Sequence, residues 1–314
     1  MNGTSLMMNP MNILLPLLRM AVLLLLLVLL PACKQEKNMA PAGSPAARII
    51  SLSPSITREM VELGAQGLLI GVTSHDDYRG TGVEIVGTLI QPNIEKIILL
   101  RPDLVLYSAE DGLVQNVERL AEAGVATHRF AQNKNFDGIC KNFLILADIL
   151  GREDAAREKI KGYREMIDRI KGGRVSGAVL RRPLAAFLLS CSPLIVASTD
   201  SFIGQVIWDA GGKCPYGGGG RPHPLISIEA LVESDPDLII SMSGGEDTSG
   251  FFRRLVADFK ELKAVRNGNI FAIPADSIPY YTPADYVKSL GKVTAMIQKA
   301  KTAHHFSMTA SDNY

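Results

Sequence analysis

The sequence predicts an α/β protein of two similar lobes, each built on a parallel sheet, with a long rigid helix joining them. Strand and helix patterns alternate in both halves of the chain, as is typical of parallel sheets covered by helices. One helix-to-strand segment occurs twice, once in each half, and helical periodicity without strand signals fills the middle. Because ligands of such sheets bind beyond the carboxyl ends of the strands, a cleft between the lobes is expected.

The repeated segment covers residues 94–106 and again residues 228–240. In each copy a polar residue, Asn93 or Ser227, predicts a helix N-cap, because its side chain can accept a hydrogen bond from a free backbone amide. A Pro-Asp pair then predicts the end of the helix, since proline disfavours the helical conformation at the preceding residue. A run of Leu, Val and Ile follows, which indicates a strand buried on both faces.

The first lobe is predicted over residues 47–137. It begins with a short strand at residues 48–52, and Ser53 followed by proline predicts the start of a helix. Further strands are expected over residues 68–72 and 125–130, with the first copy of the repeat between them. This alternation makes the lobe Rossmann-like, with polar loops at the carboxyl ends of its strands.

The connecting segment, residues 138–173, has helical periodicity over residues 139–150 and a charged helical pattern over residues 154–170. A charged helix between two similar halves suggests a spine. The second lobe, residues 174–303, repeats the strand and helix alternation and ends in a helix. Residues 304–314 are polar and are predicted to be a loose tail.

The first 32 residues differ from the rest of the chain. Arg19 precedes an almost wholly apolar run over residues 20–30, and small residues and Cys33 follow, which is typical of a secretory signal. The Leu-Pro-Ala-Cys ending resembles a bacterial lipobox, in which Cys33 would be lipidated and residues 33–46 would form a tether. An uncleaved membrane anchor is the alternative, because an earlier apolar stretch lengthens the run. Under either interpretation the rest of the chain is expected to be exported, to the periplasmic or the outer-surface side.

Charge and cysteine usage narrow the possible partners. The chain carries 33 Lys and Arg against 32 Asp and Glu, so it has no large excess of positive charge that would attract nucleic acid. After Cys33, three cysteines remain: Cys140, Cys191 and Cys214. An exported compartment permits disulfides, but an odd number allows at most one internal bridge, and the spacing matches no metal motif.

The loops at the strand ends supply the candidate ligand residues. They are Ser53, Ser55, His75, Tyr78, Tyr107, His223, Tyr280 and Tyr281. The sequence contains no Walker motif, no H-E-x-x-H, no G-x-S-x-G and no G-x-G-x-x-G after a strand, so an enzyme is only a remote alternative. Aromatic faces suit a planar or bulky ligand, and His or Tyr can ligate iron or cobalt.

Taken with the export signal, these segments resemble the substrate-binding proteins of ABC importers for cobalamin, ferric siderophores and haem, whose two lobes are joined by one rigid helix. The resemblance spans roughly residues 47–300. It is carried by residues 48–55, 71–78, 92–97, 101–105 and 264–268.

The resemblance implies a monomeric, lipid-anchored binding protein without a resident cofactor. Its ligand would be an iron complex, either a siderophore or haem, or a cobalamin-type metal chelate, delivered to the permease and ATPase subunits of an ABC importer. In this family a glutamate on each lobe docks onto arginines of the permease, and the matching positions are Glu95 and Glu229. The internal repeat places these same two residues at equivalent positions. A first-turn carboxylate also favours the helix dipole, which accounts for either residue singly.

The ligand itself stays open at this stage. Cobalamin-binding members of the family line the cleft with tryptophans, whereas Leu89, Ser108 and His223 stand at those positions here. The single tryptophan, Trp208, lies within a predicted helix, where a core position is expected. Arg79 and Arg221 are candidate cleft arginines for a siderophore, and no metal ligand set is assigned. A free metal ion, or an oxyanion such as molybdate held by serine hydroxyls and helix N-termini, is the alternative.

Overall fold

Two sheets and ten α-helices are formed by the residues that the computed structural model describes. These are residues 47–78, 80–109, 117–133, 135–173, 181–217, 219–243, 246–274 and 281–311. The predicted signal segment, the tether, Cys33, Arg79 and Tyr280 lie outside the described residues.

The first lobe contains a sheet of five parallel strands. Its elements are β1 (Ile49–Ser51), α1 (Pro54–Glu62), β2 (Leu69–Val72), β3 (Glu84–Ile85), α2 (Ile94–Leu99), β4 (Leu104–Ser108), α3 (Glu118–Glu122) and β5 (Thr127–Phe130). The strand order is β3-β2-β1-β4-β5. The direction of winding therefore reverses between β1 and β4, which is where a ligand crevice forms in open α/β sheets. This confirms the α/β prediction for the first half.

Two connecting helices and a second lobe with its own sheet and helices complete the fold. The elements are α4 (Phe136–Leu150), α5 (Glu153–Gly172), β6 (Ala185–Cys191), β7 (Leu194–Val196), α6 (Phe202–Asp209), α7 (Ile228–Ser234), β8 (Leu238–Ser243), α8 (Glu246–Asp258), α9 (Lys263–Arg266), β9 (Ile270–Pro274) and α10 (Pro283–Ser311). The order of the second sheet is β7-β6-β8-β9. β6, β8 and β9 run parallel, and β7 pairs with β6 as an antiparallel edge hairpin.

The repeated segment folds in the same way in both lobes. Asn93 and Ser227 cap α2 and α7, each accepting a hydrogen bond from the amide three residues later, at 2.9 and 3.2 Å. At the other end of the segment, Arg101 and Asp235 have φ angles of 46° and 39°. This left-handed conformation reverses the chain just before the proline, so the helix ends where the sequence predicts.

A matching aspartate fixes the entry of each repeated strand into its sheet. The Asp103 carboxylate accepts a hydrogen bond from the Arg48 amide at 2.9 Å, beside the start of β1. The Asp237 carboxylate accepts one from the Leu184 amide at 2.7 Å, beside the start of β6. The Pro-Asp pair therefore ends a helix and also ties the next strand to its parallel neighbour.

One continuous apolar core joins the lobes through the connecting helices. It contains Leu104 of β4, Phe143 of α4, Ile160 of α5, Ile240 of β8 and Tyr286 of α10. The spine consists of two helices separated at Gly151, whose φ is +63°, and α5 is the longer at 20 residues. Because packed interiors resist deformation, a core shared by both lobes favours small lobe movements over a wide hinge.

Three local features differ from the sequence prediction or were not anticipated by it. Trp208 is 50% exposed, so the predicted core position is wrong; the Arg182 guanidinium covers its ring at 3.7 Å from the centroid. Strand β3 is only two residues long and gives no alternating pattern. The predicted loose tail, residues 304–314, is helical up to Ser311.

Within the described ranges, no helix combines the length and the apolar character that crossing a membrane requires.

Candidate functional site

A small, open cavity of about 20 Å³ lies at the carboxyl ends of β4 and β5 and is completed by a residue from the second half of the chain. Its lining residues are Ser55, Ile56, Glu59, Ser108, Phe130, Asn133, Ile139, Asn142 and Tyr281. Ser55 follows β1 and Ser108 ends β4, the two strands between which the winding reverses. The cavity therefore occupies the crevice that the sheet topology predicts.

Serine hydroxyls hold the turn from β1 into α1. The Ser53 hydroxyl is hydrogen-bonded to the Ser55 hydroxyl at 2.8 Å, and Thr57 donates to the Ser51 hydroxyl at 2.9 Å. Ser53 is fully buried, whereas Ser55 lines the cavity. The two predicted serines therefore differ in position: Ser55 lines the cavity, and Ser53 stabilises the turn that presents Ser55.

The second half of the chain contributes Tyr281. Its ring packs edge-on against Phe202 of α6 with a centroid distance of 5.0 Å. Its φ angle is +27°, an unusual value for a residue other than glycine, and such backbone conformations cluster at ligand sites. Tyr281 thus brings an aromatic ring from the second lobe to a wall built by the first, as predicted for a cleft between lobes.

Asn133 and Asn142 also line the cavity. Each side chain donates a hydrogen bond to the Ala131 carbonyl, at 2.9 and 2.8 Å respectively. This fixes the loop after β5 against α4, so both amide groups are held in place at the cavity. Neither asparagine was among the predicted ligand residues, because both lie beyond the strand ends from which those residues were chosen.

Glu59 is a further cavity residue that sequence reasoning missed. It is 4% exposed and lies one helical turn after Ser55, so the two residues share a face of α1. Burial raises the pKa of its carboxyl well above the ordinary value, and the negative charges of Glu62 and Asp285 raise it further. The spacing of four residues from Ser55 is the sequence signal that could have identified it.

The loop after β2 contains His75 and Tyr78. The Asp76 carboxylate accepts hydrogen bonds from the amide and the hydroxyl of Thr73, at 3.0 and 2.7 Å, which fixes the loop. His75 is exposed, and its Nδ1 accepts a hydrogen bond from the Leu89 amide at 3.4 Å. That bond favours the tautomer with the proton on Nε2, the nitrogen that a metal would otherwise approach. Tyr78 is partly buried against the shared core.

Tyr107 and His223 lie apart from the cavity wall. Tyr107 packs against the apolar cluster on the other face of the first sheet, because neighbouring strand residues point to opposite faces and Ser108 faces the cavity. Burial raises the pKa of the Tyr107 hydroxyl. His223 is an exposed loop residue, and partial desolvation of its ring lowers its pKa.

Glu95 and Glu229 are both exposed and occupy the first turns of α2 and α7. Hydrogen bonds from the Ser227 side chain and from its own backbone amide lower the pKa of Glu229. The two carboxylates therefore have equivalent places in the two lobes. Beside Glu95, Leu99 is 80% exposed one turn later on the same helix.

Metal-binding and thiol chemistry have little support in the described part of the chain. No group of three or more His, Cys, Asp or Glu side chains there could hold a metal ion. Cys140, Cys191 and Cys214 are free thiols, and Cys140 and Cys214 are buried. Burial raises the pKa of Cys140 to about 12 and that of Cys214 to about 11, which disfavours their reactive thiolates.

Residues 49–277 match the family model described as periplasmic binding protein. The chain belongs to the periplasmic binding protein family. Members of this class are substrate-binding proteins rather than enzymes, and they bind small chelates and work with ABC permease and ATPase subunits. Membership also means that this binding protein is exported.

Particular relatives define the class more closely. The vitamin B12-binding protein of Vibrio cholerae is 26% identical over 241 residues, covering 76% of this chain and 85% of the relative. The crystal structure of the Vibrio cholerae vitamin B12-binding protein BtuF matches with a TM-score of 0.70 at 24% identity, over 82% of this chain and 98% of that one. The haem-binding protein HutB of Vibrio cholerae matches with a TM-score of 0.67 at 19% identity, over 79% and 97%. These structures share both lobes of the fold.

Proposed function

We propose that this binding protein captures a cobalamin-type metal chelate between its lobes and delivers it to the permease of an ABC importer. The observation that carries the proposal is the similarity to the vitamin B12-binding protein over 85% of that protein's length. Capture between the lobes is also supported by the cavity at the strand ends, because side chains from both halves of the chain line it. A bulky ligand filling the region between the lobes would contact this wall with its edge.

An iron complex is the second candidate ligand. Tyr281 lines the cavity, and a tyrosine hydroxyl is a known ligand of haem iron. A free metal ion or an oxyanion is disfavoured by two observations. The Ser53 hydroxyl is already bonded to Ser55, and the described residues provide no convergent group of metal ligands. If the protein retains no coloured chelate in the binding test, one of these smaller ligands becomes the favoured candidate.

Delivery is proposed to use Glu95 and Glu229. Both carboxylates are exposed and have matching places in the two lobes, so a permease with a positive site for each lobe would engage them together. The exposed Leu99 adds an apolar contact beside Glu95. Anchoring by a lipid on Cys33, after removal of residues 1–32, would keep the binding protein beside its importer.

Retained colour tests the proposed capture directly. The purified protein would be incubated separately with cyanocobalamin, haemin and ferric siderophores, desalted, and scanned for visible absorption. The proposal predicts stoichiometric retention of cyanocobalamin. Retention of haemin or a siderophore alone would assign the cleft to iron, and no retained colour with any chelate would refute chelate capture.

A further inference from the structure

Glu59 carries a buried carboxyl group on the wall of the cavity. It is 4% exposed, and within the described residues no amide or hydroxyl donates a hydrogen bond to its carboxyl group. The residue nevertheless lines an open cavity, together with the polar side chains of Ser55, Asn133 and Asn142. Because the residue lines an open cavity, water can serve its carboxyl group in the free protein, and a ligand that fills the cavity has to replace the hydrogen bonds of that water.

The surroundings of Glu59 decide its charge. Glu62 on the same helix and Asp285 on α10 both place negative charge near it, and burial acts in the same direction. Glu62 itself accepts a hydrogen bond from Tyr163 and lies 3.9 Å from Lys159 on α5, so that cation is engaged with Glu62. Cys140 on α4 also lies within the electrostatic reach of Glu59. Neutralisation by a proton is therefore favoured.

A protonated carboxyl group presents a donor and an acceptor side by side. A carboxamide presents the complementary pair, so the two groups can form two parallel hydrogen bonds. A ligand carboxylate at the same place would add negative charge beside Glu62 and Asp285, which disfavours it. The wall thus favours carboxamide edges over carboxylate edges.

We propose that Glu59 is a specificity-determining residue of the cleft, which pairs with a carboxamide at the edge of the bound chelate and selects against ligands that present a carboxylate there. The inference rests on the proposed function, because it concerns the periphery of the same ligand.

The test compares cyanocobalamin with its monocarboxylic acids, in which one peripheral carboxamide is hydrolysed. Affinities of the wild-type protein, Glu59→Gln and Glu59→Leu would be measured by equilibrium dialysis across a range of pH. Glu59→Gln keeps a donor and an acceptor, so we expect its cyanocobalamin affinity at neutral pH to stay within about 3-fold of wild type. Glu59→Leu removes both hydrogen bonds, so we expect a loss of about 10- to 100-fold.

The pH profile separates recognition from a structural role. Wild-type affinity for cyanocobalamin should fall as the pH rises through the raised pKa of Glu59, whereas the Glu59→Gln profile should stay flat. At least one monocarboxylic acid should bind the wild type more weakly than cyanocobalamin, and Glu59→Gln should narrow that difference. Glu122→Gln, the same chemical change at an exposed position on α3, serves as the control and should match wild type.

The outcomes distinguish this inference from the proposed function. Equal affinities of wild type and Glu59→Leu, or parallel pH profiles of wild type and Glu59→Gln, would overturn the role of Glu59 while chelate capture stands. Binding of haemin without cyanocobalamin would also overturn carboxamide pairing and leave chelate capture standing. Binding of no chelate would overturn the proposed function itself. If Glu59→Leu does not fold, as judged by its circular dichroism, the Glu59→Gln profile still decides.

Discussion

Replacing Tyr286 by Phe should loosen the junction between the lobes in a measurable way. Tyr286 is fully buried on α10 and packs against Phe136 of α4 and Phe202 of α6, at ring centroid distances of 5.1 and 5.5 Å. Its hydroxyl donates a hydrogen bond to the Asp209 carboxylate, which lies 3.3 Å from Lys171 of α5. One side chain therefore connects the spine to the helices of the second lobe.

The expected magnitude follows from the hydrogen bond that is lost. Phenylalanine keeps the ring packing, so the change removes the hydroxyl and its bond to a charged acceptor. Such bonds contribute about 1.5–3 kcal/mol to stability. For a chain of this size each kcal/mol lowers the melting temperature by about 2–4 °C, which gives an expected decrease of about 3–12 °C.

Thermal unfolding followed by circular dichroism measures this effect, with Tyr216→Phe as the matched control. The Tyr216 hydroxyl is hydrogen-bonded to the Ser234 hydroxyl at 3.2 Å, a neutral partner within the second lobe, so its loss should cost about 0.5–1.5 kcal/mol. Hydrogen exchange should also quicken along α10 in Tyr286→Phe alone. If Tyr286→Phe is no less stable than Tyr216→Phe, the reasoning about this junction is refuted.

Three further predictions concern the cavity, the docking surface and the thiols. Because folding raises the pKa of Glu59, the folded protein should lose stability as the pH rises above the ordinary carboxyl pKa. In that pH range Glu59→Gln should have a higher melting temperature than wild type. The difference in melting temperature should disappear at acidic pH, where Glu59 is protonated in both the folded and the unfolded state. Parallel melting curves against pH would contradict this. Glu95→Ala combined with Glu229→Ala should abolish transport in cells and leave ligand affinity unchanged, since both residues are exposed; weakened ligand binding would count against docking. Iodoacetamide at neutral pH should modify the half-buried Cys191 before the buried Cys140 and Cys214, as judged by peptide mass spectrometry, and early labelling of Cys140 would disprove its burial.

Local signals explain why the repeated segment could be predicted closely. Asn93 and Ser227 cap their helices with side-chain hydrogen bonds, and each Pro-Asp pair ends a helix, all within a few residues of sequence. Trp208 could not be placed in the same way, because the Arg182 guanidinium that covers its ring comes from a residue far away in sequence. Strand β3 is held by pairing to β2 rather than by a pattern of its own.

The candidate site was only partly predictable for a related reason. Ser55 and Tyr281 were found because residues at strand ends and lobe junctions converge in this topology. Glu59 was missed, since a charged residue within a helix usually indicates the solvent face, and its burial depends on tertiary packing that includes the contact of α1 with α4. Tyr107 stands beside the cavity residue Ser108 but points to the other face of the sheet, a consequence of strand register.

The location of the bound metal is the most direct test of capture between the lobes. Crystals of the protein grown with cyanocobalamin would be measured at the cobalt absorption edge, and an anomalous difference map would be calculated. The account predicts a single cobalt peak between the lobes, with the edge of the corrin near Tyr281 and Glu59. A cobalt peak on the outer surface, or no peak in crystals of a protein that retains cyanocobalamin in solution, would contradict it.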